Sequence, residues 1–189
     1  FFRSSTNTTP QESQPGLHGQ VFDLRLEMKL IADVGFIGLP NSGKSTLLNT
    51  LTSAKSKVGN YAFTTLEPNL GDYYGLIIAD IPGLIEGASR GKGLGDKFLK
   101  HIERTNVLFH LIDASSPDPV HDYQIIREEL GAYNPRLLDK GEFVFLSKSD
   151  EVALPDLEEK LKALTKVVAP VQTLSILDPQ SLDATQVIL

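Results

Sequence analysis

The stretch Gly38-Leu39-Pro40-Asn41-Ser42-Gly43-Lys44-Ser45 constrains the fold of this chain more than any other feature. It satisfies G-x-x-x-x-G-K-[ST], with an apolar run at residues 31–37 before it and a helix-forming run at 46–51 after it. A strand, a glycine turn and a helix N-terminus in that order make a cradle for an anion, because glycine lets successive N–H groups turn inward. In such a loop Lys44 is expected to bring positive charge to terminal phosphates, and Ser45 a hydroxyl to a magnesium ion. Alone, the same residues also fit an ordinary glycine turn. The residues downstream remove most of that alternative.

From residue 31 onward, short apolar runs alternate with helical stretches. The runs predict strands at 32–37, 76–81, 107–113, 143–147 and 171–176, and the periodic stretches predict helices at 44–51, 96–104, 119–130, 155–168 and 181–189. The short segment from Gly71 to Ile77 implies a tight hairpin between a second and a third strand. Nearly all-apolar strands alternating with helices predict an α/β phosphate-loop fold, with a mostly parallel central sheet and helices on both faces. Right-handed crossovers then bring the C-terminal strand ends to one edge, where ligands bind.

Residues 1–20 are rich in Ser, Thr, Asn, Pro and Gly and read as irregular, while Leu24, Leu26, Met28 and Leu30 alternate with the period of a half-buried strand. The expected division is a short, partly irregular N-terminal segment at 1–29 and a nucleotide-binding domain at 30–189. No apolar run reaches the roughly 20 residues of a membrane-spanning helix, so no membrane partner is expected. The lack of cysteine excludes disulfides and thiolate metal sites and suits a reducing compartment. A net charge of −6 is poorly suited to gripping nucleic-acid backbone by charge alone. The four histidines show no metal spacing; His110, in an apolar run, is expected in the core and His101 on a helix surface.

Three further motifs fall at predicted strand ends. Asp80-Ile81-Pro82-Gly83 matches D-x-x-G, in which the Asp holds magnesium through a water and the Gly83 N–H contacts the terminal phosphate. A plain strand-ending turn uses the same residue types. Ser147-Lys148-Ser149-Asp150 offers a carboxylate that can accept two hydrogen bonds from guanine, with the Lys148 stem along the base plane. Thr173-Leu174-Ser175-Ile176 could bring backbone N–H groups to the base carbonyl. Between the first two motifs lies Tyr61-Ala62-Phe63-Thr64-Thr65-Leu66-Glu67-Pro68-Asn69, where a threonine could complete a magnesium shell; spacing does not choose between Thr64 and Thr65.

Together these residues resemble a translation-factor-type GTPase, and more closely the Obg family. The likeness is carried by the phosphate loop, Phe63-Thr64-Thr65-Leu66 with Pro68-Asn69-Leu70-Gly71, Asp80 through Ala88, Gly93-Leu94-Gly95, and Phe98 through Arg104. Ser4-Ser5-Thr6-Asn7, Pro15-Gly16 and Gly19 resemble the tail of that family's glycine-rich N-terminal domain, and the resemblance implies that residues 1–29 are a remnant of that upstream domain, most of it missing here, or a linker from it.

The resemblance implies GTP and GDP as ligands and Mg2+ on Ser45, Thr65 and Asp80. It implies a nucleotide-binding set of Gly38, Pro40 to Thr46, Phe63, Thr64, Thr65, Asp80, Ile81, Pro82, Gly83, Ser147, Lys148, Asp150, Ser175 and Ile176. Lys44, Thr65, Gly83 and Asn41 are the residues it implies for catalysis. Asn41 resembles the loop asparagine that holds K+ in potassium-activated GTPases, and it also suits a turn; both readings stand at this point. Leu84 occupies the place of a catalytic glutamine and cannot orient water, so slow hydrolysis is expected. Five glycines between Gly83 and Gly95 suit a segment that orders with one nucleotide and relaxes with another.

Ser147 stands where the family has Asn or Thr, and Ile176 where it has Ala. As partners the resemblance implies the large ribosomal subunit with its rRNA and the alarmone ppGpp, with a cytoplasmic location. Two alternatives remain open: a nucleotide-gated binding module with negligible hydrolysis, and an ATP-using relative of the same fold.

Overall fold

Strand β1, Val34–Ile37, is buried along its whole length and forms the middle of the sheet. The computed structural model describes residues 3–11, 15–24, 32–52, 69–81 and 102–189. After β1 come α1 (Lys44–Leu51), β2 (Asn69–Tyr73), β3 (Leu76–Asp80), β4 (Val107–Asp113), α2 (Pro119–Tyr133), β5 (Gly141–Ser147), α3 (Leu154–Thr165), β6 (Val171–Leu174) and α4 (Pro179–Ile188). The sheet order is β2-β3-β1-β4-β5-β6, parallel throughout except for the antiparallel β2–β3 pair.

That hairpin turns on Tyr74 and Gly75, both at positive φ (49° and 93°), the twist a two-residue connection needs. Asp72 Oδ1 accepts the Gly75 N–H at 2.9 Å and closes the turn.

Alternate side chains of the central strands feed opposite faces. Phe36, Phe109, Leu111 and Phe145 pack with Leu47, Leu48 and Leu51 of α1 on one face. Ile37 and Leu108 join Ile126 and Leu130 of α2 on the other. Ile112, Val144 and Leu146 extend that second layer to Tyr123 of α2 and Leu164 of α3. The layered α/β fold is therefore as the sequence predicts. Phe109 is the hub of the first face: its ring centroid lies 5.8 Å from Phe36, 5.7 Å from Phe143 and 5.0 Å from Phe145.

Several boundaries differ from the sequence reading, each for a local reason. Strand β1 starts at Val34 because Asp33 ends the ladder with its own groups. Its Oδ2 accepts the Ile77 N–H at 2.9 Å, and its carbonyl accepts the N–H groups of Asn106 and Val107, each at 3.1 Å. Strand β6 stops at Leu174, two residues early, because the Ser175 N–H turns to Ser181 Oγ at 2.8 Å. A short 3-10 turn, Pro135–Asp139, was not expected; Asn134 caps it by accepting the Arg136 N–H at 3.1 Å.

Most of the strand expected near 24–30, and all but the end of the helix expected over 96–104, lie outside the described residues. Leu24 itself is exposed and in no strand, and Ile102 is helical and buried. No described helix is long and apolar enough to cross a membrane.

Because Phe109 is 1% exposed and touches three other rings, Phe109→Ala leaves a cavity that neighbouring rings on rigid strands fill poorly. A loss of about 3–5 kcal/mol is expected in urea unfolding. A loss below about 1 kcal/mol would mean that this face collapses around the gap.

Candidate phosphate and base site

The phosphate loop leaves β1 through Gly38, whose φ of 146° is open only to glycine. A Cβ at Gly38 would overlap the Leu111 carbonyl oxygen of β4 and stand 2.7 Å from Ser42 Oγ, so the loop lies directly on the neighbouring strand. Asn41 (φ 65°) and Gly43 (φ 90°) supply the other left-handed steps.

Gly43 is the N-cap of α1 and gives it no side-chain cap, and the first turn of α1 holds no acidic residue. By contrast, Asp118 caps α2 and Asp178 caps α4 with their carboxylates. The free N–H groups at the start of α1 are thus left to face an anion.

Lys44 folds back over this turn. Its Nζ donates to the carbonyls of Gly38 (3.0 Å) and Leu39 (2.9 Å) and lies 3.4 Å from Ser42 Oγ. Burial pushes its ammonium below the ordinary lysine range, while Asp80 pulls in the opposite direction. The charge is held at the loop mouth in a fixed place.

Asp80, at the end of β3, is 1% exposed and accepts the Ser45 hydroxyl on Oδ2, with Asn69 Nδ2 at 3.5 Å from the same oxygen. Among the described residues its Oδ1 is buried without a hydrogen-bond partner. An orphaned carboxylate oxygen beside a serine hydroxyl is the hard-oxygen donor set that suits a magnesium ion.

The segment expected to recognise a base, Ser147 to Asp150, starts at the end of β5. Ser147 is 3% exposed, and its Oγ lies within hydrogen-bonding distance of the carbonyls of Ser42 (2.8 Å) and Ile112 (3.0 Å), binding β5 to the phosphate loop. Lys148 adopts a left-handed backbone (φ 55°), and Asp150 accepts the Ser175 hydroxyl at 2.6 Å. Ser181 holds the Ser175 loop at both ends, its Oγ accepting the Ser175 N–H and donating to the Ser175 carbonyl, each at 2.8 Å. With the Ser175 amide so engaged, the Ile176 amide is the one of the two without a hydrogen-bond partner among the described residues.

A cleft of about 250 Å³ joins these parts, lined by Gly43, Thr46, Ser147, Lys148, Asp150 and Ile176 among others. The structure therefore brings together Gly38, Asn41 to Thr46, Asp80, Ser147, Lys148, Asp150, Ser175 and Ile176 along the C-terminal edge of the sheet. Pro40 is exposed on the same loop, and Ile81 is buried just after β3. Phe63, Thr64, Thr65, Pro82, Gly83 and Leu84 lie outside the described residues.

Sequence reading missed Asp113 and Ser181. Asp113 had a legible signal, a carboxylate ending an apolar strand on the ligand edge; Ser181 had none. His110 is 1% exposed and buried as expected, its Nδ1 2.8 Å from Glu142 Oε1.

Gly38→Ala combines a forbidden φ with a backbone collision, whereas a Cβ at Gly43 meets nothing within 4 Å. Gly38→Ala is expected to cost about 3 kcal/mol or more in urea unfolding and Gly43→Ala about 1 kcal/mol. Equal losses would contradict the close packing of the loop on β4.

The sequence model of the family described as 50S ribosome-binding GTPase matches residues 33–148. The chain is 56% identical over 154 residues to a GTPase Obg from Flavobacterium psychrophilum, covering 79% of this chain and 46% of that protein. It is 48% identical over 188 residues to a GTPase Obg from a Synechococcus species, covering 96% of this chain and 49% of that one. The chain thus spans about half the length of the curated relatives it matches. Among solved structures, a mutant NFeoB from S. thermophilus bound to GDP superposes with a TM-score of 0.56 at 21% identity, over 84% of this chain and 60% of that one, a likeness of fold. With the family model matched across the loop, Asp80 and Lys148, the chain belongs to the 50S ribosome-binding GTPase family and, within it, to the Obg GTPases.

Proposed function

We propose that this chain binds guanine nucleotides with magnesium and hydrolyses GTP slowly, serving as a conformational switch in assembly of the large ribosomal subunit. The observation that supports this reading best is the pairing of Lys44, fixed over an uncapped helix start, with Asp80 Oδ1 beside Ser45, an oxygen without a partner among the described residues. Magnesium, held by Ser45, Asp80 and Thr65, would neutralise negative charge on the phosphates.

The protein's own groups do the rest. Amides of Ser42 to Ser45 receive phosphate oxygens, and the Lys44 ammonium stabilises charge that grows as water attacks the terminal phosphoryl group. Gly83 offers an N–H to that phosphate. Leu84 leaves the water without a side-chain base, which keeps the intrinsic rate low. The Asn41 side chain is exposed at the loop, open to a potassium ion that would take the part of an arginine finger.

Base choice falls to Asp150, with the Lys148 stem along the ring plane and the Ile176 amide at the base carbonyl. Adenine entering this site would bring no such pair of donors to the Asp150 carboxylate, leaving it only the Ser175 hydroxyl. The alarmone ppGpp, itself a guanine nucleotide, would enter by the same contacts. Residues 1–29 are proposed as the tail of the glycine-rich domain and 30–189 as the GTPase domain. Docking on the large ribosomal subunit is in keeping with the family's description, and contact with its rRNA and a cytoplasmic site of action complete the proposal.

Single-turnover incubation with GTP, Mg2+ and K+ should release GDP and phosphate slowly, on the order of a Ras-like intrinsic rate of 10⁻³ per second or below. No release in any cation would favour a binding module without hydrolysis. Asp150→Asn should weaken GDP binding roughly 100-fold and gain affinity for xanthosine diphosphate, because the carboxamide donates where the carboxylate accepted. Unchanged GDP affinity in that variant would overturn the guanine assignment.

A further inference from the structure

We propose that Asp113 is a positioning residue for base recognition: its carboxylate holds Lys148 in place along the wall of the base cleft and so sets nucleotide affinity without touching the nucleotide. The inference rests on the guanine reading above and adds a residue to it.

Asp113 ends β4 and pairs in register with Ser147, the residue before Lys148. Lys148 Nζ lies 2.5 Å from Asp113 Oδ2. The other oxygen, Oδ1, accepts the Ser115 N–H at 2.8 Å and the Ser115 hydroxyl at 2.7 Å. Ser115 therefore fixes Oδ1 and the plane of the carboxylate, and Lys148 takes the other oxygen.

The backbone around the pair is also fixed. The Ala114 N–H donates to the Ser147 carbonyl at 2.8 Å, and Lys160 Nζ, from α3, donates to the Ala114 carbonyl at 2.7 Å. Burial works against ionising Asp113, but the hydrogen bonds from Lys148 and Ser115 more than offset it and hold its carboxyl below the usual aspartate range. The bond to Asp113 in turn raises the Lys148 ammonium above the ordinary lysine range.

A solvated lysine–aspartate pair does little for stability. Here the side chains are 30% and 21% exposed, so the pair's value lies in placement. Lys148 lines the 250 Å³ cleft beside Gly43; Asp113 lines a different cleft, of about 310 Å³, on the Pro40 and Ser42 side of the phosphate loop. Lys148 thus lines the base cleft while the carboxylate that anchors it lines the neighbouring one. Without the anchor, a four-carbon side chain regains several rotamers, and part of its contact with a base must be bought back as ordering entropy.

Asp113→Asn, Lys148→Met and the double variant would be titrated with a fluorescent GDP analogue, with ADP competition on the unaltered chain. Lys148→Met keeps an apolar stem and removes the anchored charge. Asp113→Asn is expected to weaken GDP about tenfold, and Ser115→Ala by a smaller factor, with thermal midpoints nearly unchanged. In the Lys148→Met background, Asp113→Asn should add less than about twofold, since both act through one contact. A full tenfold loss in that background, or no loss in the single variant, overturns the positioning role while leaving the guanine reading intact. Absence of GDP preference over ADP in the unaltered chain overturns both.

Discussion

Everything at this site depends on the close contact between the phosphate loop and β4. Gly38 passes so near the Leu111 carbonyl that no side chain fits, and this contact fixes where the loop begins. Lys44 then closes the loop from above by donating to the carbonyls of Gly38 and Leu39. Such a turn has left-handed residues and an uncapped helix, both of which oppose folding in isolation. Rigid, buried strands on either side of β1 make it tolerable, and an anion would relieve it.

The same edge is joined by a series of short polar bonds. Ser45 reaches Asp80 from α1 to β3, Ser147 reaches the Ser42 carbonyl from β5 to the loop, Lys148 reaches Asp113 from β5 to β4, and Ser175 reaches Asp150 from the β6 exit to the β5 exit. Each is worth about 1 kcal/mol or less in net stability. Their larger effect is geometric, since a ligand arriving at this edge meets groups whose rotamers are already set. Deeper in the sheet, His110, Arg127 and Glu142 form a network that fastens α2 to β4 and β5 away from the nucleotide groups.

Much of this was legible in the sequence because it rests on local chemistry. The phosphate loop is eight consecutive residues, the parallel strands are nearly continuous apolar runs, and the hairpin is announced by the shortness of the segment from Gly71 to Ile77. What escaped depended on contacts between distant segments. The end of β6 is decided by Ser181, which takes the Ser175 amide from the ladder, and no periodicity records that. The start of β1 is decided by an aspartate accepting from β3, 44 positions away. Asp113 looked like a strand terminus and became a partner of Lys148 only once β4 and β5 were set in register.

Guanine selectivity is the central claim, since Ser147 stands where a longer side chain is usual and the proposed reading leaves the remaining base contacts to Lys148, Asp150 and Ile176. Competition calorimetry of GDP against ADP, on this chain with magnesium present, tests it most directly. A preference for GDP of roughly 1,000-fold or more is what a site built around a hydrogen-bonding carboxylate yields. Comparable affinities, or a preference for ADP, would contradict the account and assign the edge to an adenine nucleotide.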